Sequence, residues 1–270
     1  MDYQTFLPCA ELSSLIKCYW ILESPEEETP RQQTIVPDGC MEMIFHYGDL
    51  YKQYMEDGQA VVQPRSCVFG QLTKPLVIEP TGTTGIFSVR FHYEGFMPFA
   101  SIPIKEMDDK AVSLDRLFGG PGIGLEKSIL ESKTPAEKIK HVEEFLLKRL
   151  DATAIDRVVQ STIDTIITAN GQISISELSQ QTHINRRQIE RKFSSAVGLS
   201  PKQLSKTIRL QSTLKLLLTK EFTSLTALAH ESEFYDQAHF IKDFKEFTGL
   251  TPKEFYGENL KMSYLFYGSD

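Results

Sequence analysis

The second half of the chain contains one pattern twice. ELSQQTHINRRQIERKFSSAVGLSPKQL, residues 177–204, recurs as ALAHESEFYDQAHFIKDFKEFTGLTPKEF, residues 227–255. Phe193, Gly198, Leu199 and Pro201 are matched by Phe244, Gly249, Leu250 and Pro252 at an offset of 51 residues, while Ile184 matches Phe234 at 50. The second copy therefore carries one extra residue around its turn. A repeat of this kind fixes architecture before any single residue is interpreted, because each copy must be one supersecondary unit.

Each copy reads as helix, tight turn, helix. Ser174 and Glu177 form a capping box that satisfies the free N–H groups of a helix start, and that helix is expected to end near Thr182-His183. Asn185 then caps a second helix, in which Ile189, Phe193 and Val197 recur at the spacing of one helical face. The other face carries Arg187, Gln188, Arg191 and Lys192, and Gly198 is placed to end the helix in a left-handed cap. Ser200-Pro201-Lys202-Gln203 opens the next helix with a cap, a proline at its first position and a closing glutamine.

That next helix runs to about Lys220, and its roughly 19 residues span about 28 Å at 1.5 Å per residue. Successive major-groove faces of B-DNA lie about 34 Å apart, so a helical spacer with one apolar stripe (Leu204, Ile208, Leu210, Leu214, Leu217, Leu218) can hold two readers in register. Thr251-Pro252-Lys253-Glu254 repeats the capping device after the second unit.

The overall charge of −7 conceals an uneven distribution. Residues 1–150 hold 15 Lys/Arg against 22 Asp/Glu, whereas residues 151–270 hold 14 of each. Between Arg186 and Arg209 seven cations, among them Lys192 and Lys206, face only Glu190, which is the electrostatic footprint of a nucleic-acid surface. The second unit differs. Between Asp236 and Phe247, Lys242 and Lys245 are outweighed by Asp236, Asp243 and Glu246, so it is expected to hold phosphate weakly.

Residues 152–258 resemble the two-unit DNA-binding domain of the AraC/XylS family. The likeness rests on NRRQIERKFSSAVGLSP, the linker core RLQSTLKLLL, and FYDQAHFIKDFKEFTGLTP. It covers about two-fifths of the chain and combines two copies, their spacing and a helical spacer. The resemblance implies a transcription regulator in which Arg187, Glu190 and Arg191 reach base edges, Asn185 and Arg186 reach phosphates, and Gln237, His239 and Lys242 are the contact positions of the second unit. For this second unit a structural or partly engaged role is the alternative. Glu233 stands where the family usually has glycine, and Tyr235 where a small residue is usual.

The first half is strand-like from Leu7 to about Gly95, with short β-rich runs separated by Pro, Gly and Asp turns. Helices are expected around Glu94–Ala100 and Leu114–Phe118, and from the capping box at Thr134. The last carries Ile139, Val142, Leu146 and Leu150 along one side, to pack on its own domain or to join two subunits. Gly119–Gly124 lacks the following Lys-Ser/Thr of a phosphate loop and is read as a flexible loop. The phrases IVPDGCMEMIFHYGD and SVRFHYEGFMPF resemble a β-rich domain that precedes AraC-type units, implying a sensory or oligomerising role. His46 and His92 stand alone and are read as structural, so no metal or other cofactor is expected.

The fold class expected is α+β. A β-rich domain with a C-terminal helix, residues 1–150, precedes an all-α domain of two helix-turn-helix units and a linker helix, residues 151–270. The first unit is expected to be the main reader. Double-stranded DNA is the expected partner, with RNA polymerase, a small-molecule effector and a second copy of the chain as further candidates. No apolar run reaches the roughly 20 residues that span a bilayer, and the first residues lack a secretion signal, so a cytoplasmic protein is expected. The competing class is a DNA-directed enzyme or repair protein, with Cys40 or Cys67 as nucleophile; neither has an activating base adjacent in sequence.

Overall fold

The computed structural model describes residues 1–27, 29–154, 156–219 and 237–258. Ten strands lie in the first half: β1 (Asp2–Phe6), β2 (Ile16–Ser24), β3 (Gln33–Ile35), β4 (Glu42–His46), β5 (Tyr51–Tyr54), β6 (Ala60–Val62), β7 (Ser66–Phe69), β8 (Leu76–Pro80), β9 (Thr84–Phe91) and β10 (Ala111–Ser113). They form a six-stranded sheet in the order β1-β2-β9-β4-β7-β10 and a four-stranded sheet in the order β3-β8-β5-β6. Every pairing is antiparallel.

Successive side chains of a strand point to opposite faces, and here the larger sheet buries both. Tyr19 and Ile21 of β2, Met43 and Phe45 of β4, and Phe87, Val89 and Phe91 of β9 join the main core. Over that face lie α1 (Leu114–Phe118), α2 (Gly120–Glu131) and α3 (Pro135–Leu147). The alternate residues, Trp20, Leu22, Ile44 and Ile86, pack with Tyr51 and Ile78 of the smaller sheet. The same alternation carries Glu42, His46 and Arg90 inward between the two sheets.

Helix α3 packs on its own domain. Val142 and Leu146 are fully buried, with Ile139 and Leu150 against them. Glu143 accepts from the Tyr19 hydroxyl (3.1 Å) and from the Cys9 N–H (2.8 Å). The capping box at Thr134 and Glu137 forms in full.

Two expectations need correction. Gly119–Gly124 is not a loop, because α2 begins inside it, with proline in its first turn. Gly122 packs so closely on α1 that a Cβ would fall 2.1 Å from the Leu114 carbonyl oxygen, so its missing side chain serves helix packing. Instead of a helix over Glu94–Ala100, a single 3-10 turn at Met97–Phe99 is present.

The second half contributes α4 (Arg157–Thr168), α5 (Ile175–Thr182), α6 (Arg186–Val197), α7 (Pro201–Thr219), α8 (Gln237–Thr248) and α9 (Pro252–Glu258). The sequence reading did not single out α4, which is capped by Asp156. The Ser174–Glu177 box and the Asn185 cap form as expected. The turn between α5 and α6 is made at His183, with φ 55°, and Gly198 ends α6 with φ 86°. Glu233, Tyr235 and Asp236 lie outside the described residues.

Helix α7 carries two apolar stripes instead of one. Leu204 and Ile208 enter a core with Val159 and Ile163 of α4, Leu178 of α5, and Ile189 and Phe193 of α6. Leu210, Leu214 and Leu217 enter a second core with Phe240, Phe244, Phe247 and Phe255. At 3.6 residues per turn the two sets point about 135° apart. A single stripe would have placed both units on one side of the helix.

The β-rich half packs on this helical half. Tyr93 and Met97 border the first unit's core, and Val36 borders the second's. A Cβ on Gly198 would come within 3.0 Å of Asp108 Oδ1 and of Ile104 Cγ2, so the C-terminal end of α6 abuts the turn Ile104–Met107. Gln211 of α7 donates to the Pro37 carbonyl.

Candidate nucleic-acid interface

Helix α6 sorts its residues by face. Ile189, Phe193, Ala196 and Val197 are buried, while Arg186, Arg187 and Arg191 are exposed. Arg187 and Arg191 stand one helical turn apart, as i, i+4 neighbours. Asn185 accepts from the Gln188 N–H at 2.9 Å, fixing the helix start beside them. The β-rich domain touches the opposite end of α6 and leaves this arginine-bearing turn open.

Three neighbouring cations, Arg186, Lys192 and Lys206, are engaged. Arg186 pairs with Glu190 at 3.1 Å with both side chains largely in solvent, and such pairs are worth about 0.3–0.5 kcal/mol, so a phosphate or base edge can displace either partner. Lys192 pairs with Asp156 at 2.6 Å, joining α6 to the cap of α4. Burial works to raise the Asp156 carboxyl, but the Lys192 ammonium and the Val158 N–H outweigh it and hold it below its ordinary value. Lys206 bonds Asp243 at 3.1 Å and Glu246 at 2.9 Å, both on α8.

On α8, Gln237, His239 and Lys242 are exposed, whereas Asp243 is buried. Arg209 and His239 approach Asp243 at 4.0 and 3.8 Å. Local spacing carries no sign of this cluster, because α7 and α8 contribute members some 35 residues apart that meet only when α8 folds back on α7. Between the units runs an open groove of about 830 Å³, with Arg186, Lys202, Lys206 and Arg209 along it.

The proposed nucleophiles have the wrong environment. Burial pushes both the Cys40 and the Cys67 thiol up to about 12, and Asp38 adds to the effect at Cys40. Nucleophilic thiols need the opposite shift. Among the described residues no group of three or more His, Cys, Asp or Glu is placed to hold a metal ion. No described helix is long and apolar enough to cross a membrane.

Residues 178–257 match the family described as a helix-turn-helix domain, and residues 4–113 match a domain family of unknown function, DUF6597. Over 86 residues the chain is 31% identical to an uncharacterised helix-turn-helix-type transcriptional regulator of Staphylococcus aureus, covering 32% of this chain and 11% of the relative. The chain thus spans about a tenth of the length of the S. aureus relatives it matches. Among solved structures, ToxT from Vibrio cholerae aligns at 11% identity over 95% of this chain and 98% of its own, with a TM-score of 0.49. A probable AraC family transcriptional regulator from Rhodopseudomonas palustris aligns at 28% identity over 40% of this chain and 98% of its own, with a TM-score of 0.34.

A capped arginine-bearing second helix, its repeat in the sequence and the family match define a helix-turn-helix domain. Residues 178–257 thus form a domain of the helix-turn-helix family they match, with a β-rich domain that matches DUF6597 ahead of it.

Proposed function

We propose that this protein regulates transcription by binding a specific, asymmetric DNA site, with the first helix-turn-helix unit as the main reader. The observation that carries this reading is the pair Arg187 and Arg191, exposed on the capped end of α6. Arginine pairs bidentately with guanine O6 and N7, each good pair discriminating by about 1–3 kcal/mol. Asn185 and Arg186 stand beside them for phosphates, and Glu190 for a cytosine amine. The groove cations Lys202 and Arg209 suit the strand that runs between two major-groove faces. Gln237, His239 and Lys242 give the second unit a weaker hold.

In this reading residues 1–150 sense a small molecule, or pair two copies of the chain, and residues 151–270 carry the DNA-binding function. Contact with RNA polymerase would follow DNA binding. The test is selection of duplexes from a random library by the full chain, followed by titration against single-base variants of the winner. A common asymmetric motif with affinity that falls steeply with salt is expected. Recovery of no common motif would refute the reading.

A further inference from the structure

A partly open cavity of about 120 Å³ lies between the two sheets, away from the helix-turn-helix residues. Its wall is apolar, with Trp20, Ile44, Phe69, Ile78 and Ile86 among the lining side chains. Benzene fills an apolar cavity of about 150 Å³, so this space suits no more than a single ring, with any substituent toward its open side.

The polar groups restrict the occupant further. Arg90 is the cation among the described lining residues, and its guanidinium is held by Asp38 and, at 2.9 Å, by Glu42. Ser88 donates to Glu42 at 3.1 Å. An anion entering here would lose its hydration and meet two carboxylates around an arginine already claimed. His46 is 1% exposed, with Gln63 beside it, yet neither ring nitrogen has a hydrogen bond in good geometry. Burial pulls the imidazole down to about 4, so at neutral pH it offers one donor and one acceptor. Gln33 Oε1 is a second buried acceptor without a partner. Unsatisfied buried polar atoms are costly and uncommon, and two side chains that bring them to one cavity mark what its occupant supplies.

The far side of one cavity wall is an interdomain contact. Val36, Asp38 and Cys40 line the space. Val36 also borders the core of the second helix-turn-helix unit. The Pro37 carbonyl accepts from Gln211 of α7. Gly39, at φ 81°, lies so near α7 that a Cβ would come within 2.9 Å of Leu204 Cδ1. In a close-packed interior a shift of this segment moves what touches it.

We propose that the cavity binds a small, uncharged, largely apolar molecule of single-ring size bearing one hydroxyl or amine donor, and that residues 36–40 transmit its occupancy to α7 and the second DNA-binding unit. This rests on the reading of the N-terminal half as a sensor and names its ligand class and its route to the DNA-binding half.

Trp20 is the chain's single tryptophan and lines the cavity, so its fluorescence reports occupancy directly. The full chain is titrated with benzyl alcohol, toluene, benzoate and benzylamine. Saturable change with benzyl alcohol, and at least tenfold weaker binding of benzoate and benzylamine, is expected. His46→Leu should weaken benzyl alcohol by about fivefold, the worth of one hydrogen bond, while toluene binding is retained; Gln33→Met provides the same contrast should His46→Leu unfold. Benzoate or benzylamine binding as tightly as benzyl alcohol, or no saturable change with any probe, would overturn the ligand class. Affinity for the selected duplex is then measured with and without benzyl alcohol. A shift that Gln211→Ala abolishes, with Trp20 titration unchanged, is expected; a duplex affinity indifferent to a bound probe would overturn the route. Neither failure touches the DNA-binding reading, which stands or falls with the selection experiment.

Discussion

The Lys206 ammonium lies 3.1 Å from the Asp243 carboxylate, joining the linker helix to the second unit's exposed-face helix. Asp243 is 7% exposed and also faces Arg209 and His239. Lys206 therefore spans the two units before any DNA arrives. Asp243→Ala should destabilise the chain by about 1.5–3 kcal/mol, the worth of a hydrogen bond between charged groups, with Lys206 left on Glu246. It should also weaken binding to a duplex holding both half-sites more than to one holding only the first. Denaturant unfolding and titration on long and short duplexes check this; equal losses on both duplexes would show that the pair does not set the spacing.

Arg191→Ala is expected to lose about 1–3 kcal/mol of affinity and to relax preference at one base pair. Lys192→Ala should cost less and leave preference unchanged, since Lys192 is tied to Asp156. Titration against a panel of single-base variants separates the two. A uniform loss across the panel for Arg191→Ala would reassign it to phosphate.

The domain contact should depend on pH. Asp108 Oδ1 is buried without a hydrogen bond against the C-terminal end of α6, where a negative charge also opposes the helix dipole. Burial, then neighbouring Asp109, raises its carboxyl to about 6 against the lowering effect of Lys105 and Lys110. The docked state thus binds the proton more readily than the free carboxyl at 3.8. Its stability falls as pH rises from about 4 through 6 and is lowest above that window. Asp108→Asn should raise thermal stability at pH 7.5 and change little at pH 4.5. Melting curves from pH 4.5 to 8 give the result, and a parallel wild-type and variant profile would refute it.

Cys40 and Cys67, both pushed up to about 12, should resist alkylation by iodoacetamide at pH 7.5 in the folded chain and react on denaturation. Peptide mass mapping with and without guanidinium chloride checks this. Rapid labelling of either thiol in the folded chain would revive a reactive-cysteine function.

Short-range chemistry is legible in the chain alone. The capping boxes at Thr134 and Ser174, the Asn185 cap and the glycine stop at Gly198 each join residues three or four apart, so their spacing is visible in one dimension. The repeat and the basic run from Arg186 to Arg209 were likewise legible along the chain, and with them the helix-turn-helix class. Tertiary structure decided which face of a regular element is covered. Period-two alternation in EMIFH announces two faces, yet only the second sheet makes Glu42 and His46 interior residues. Six apolar positions along a helix look like one stripe until two separate cores divide them, as α7 shows. Gly119–Gly124 looks like a loop until α1 requires a backbone with no side chain at Gly122. Lys206 looks like a free cation until α8 brings Asp243 and Glu246 to it. Each of these depends on a neighbour distant in the chain, and such contacts leave no mark on local spacing.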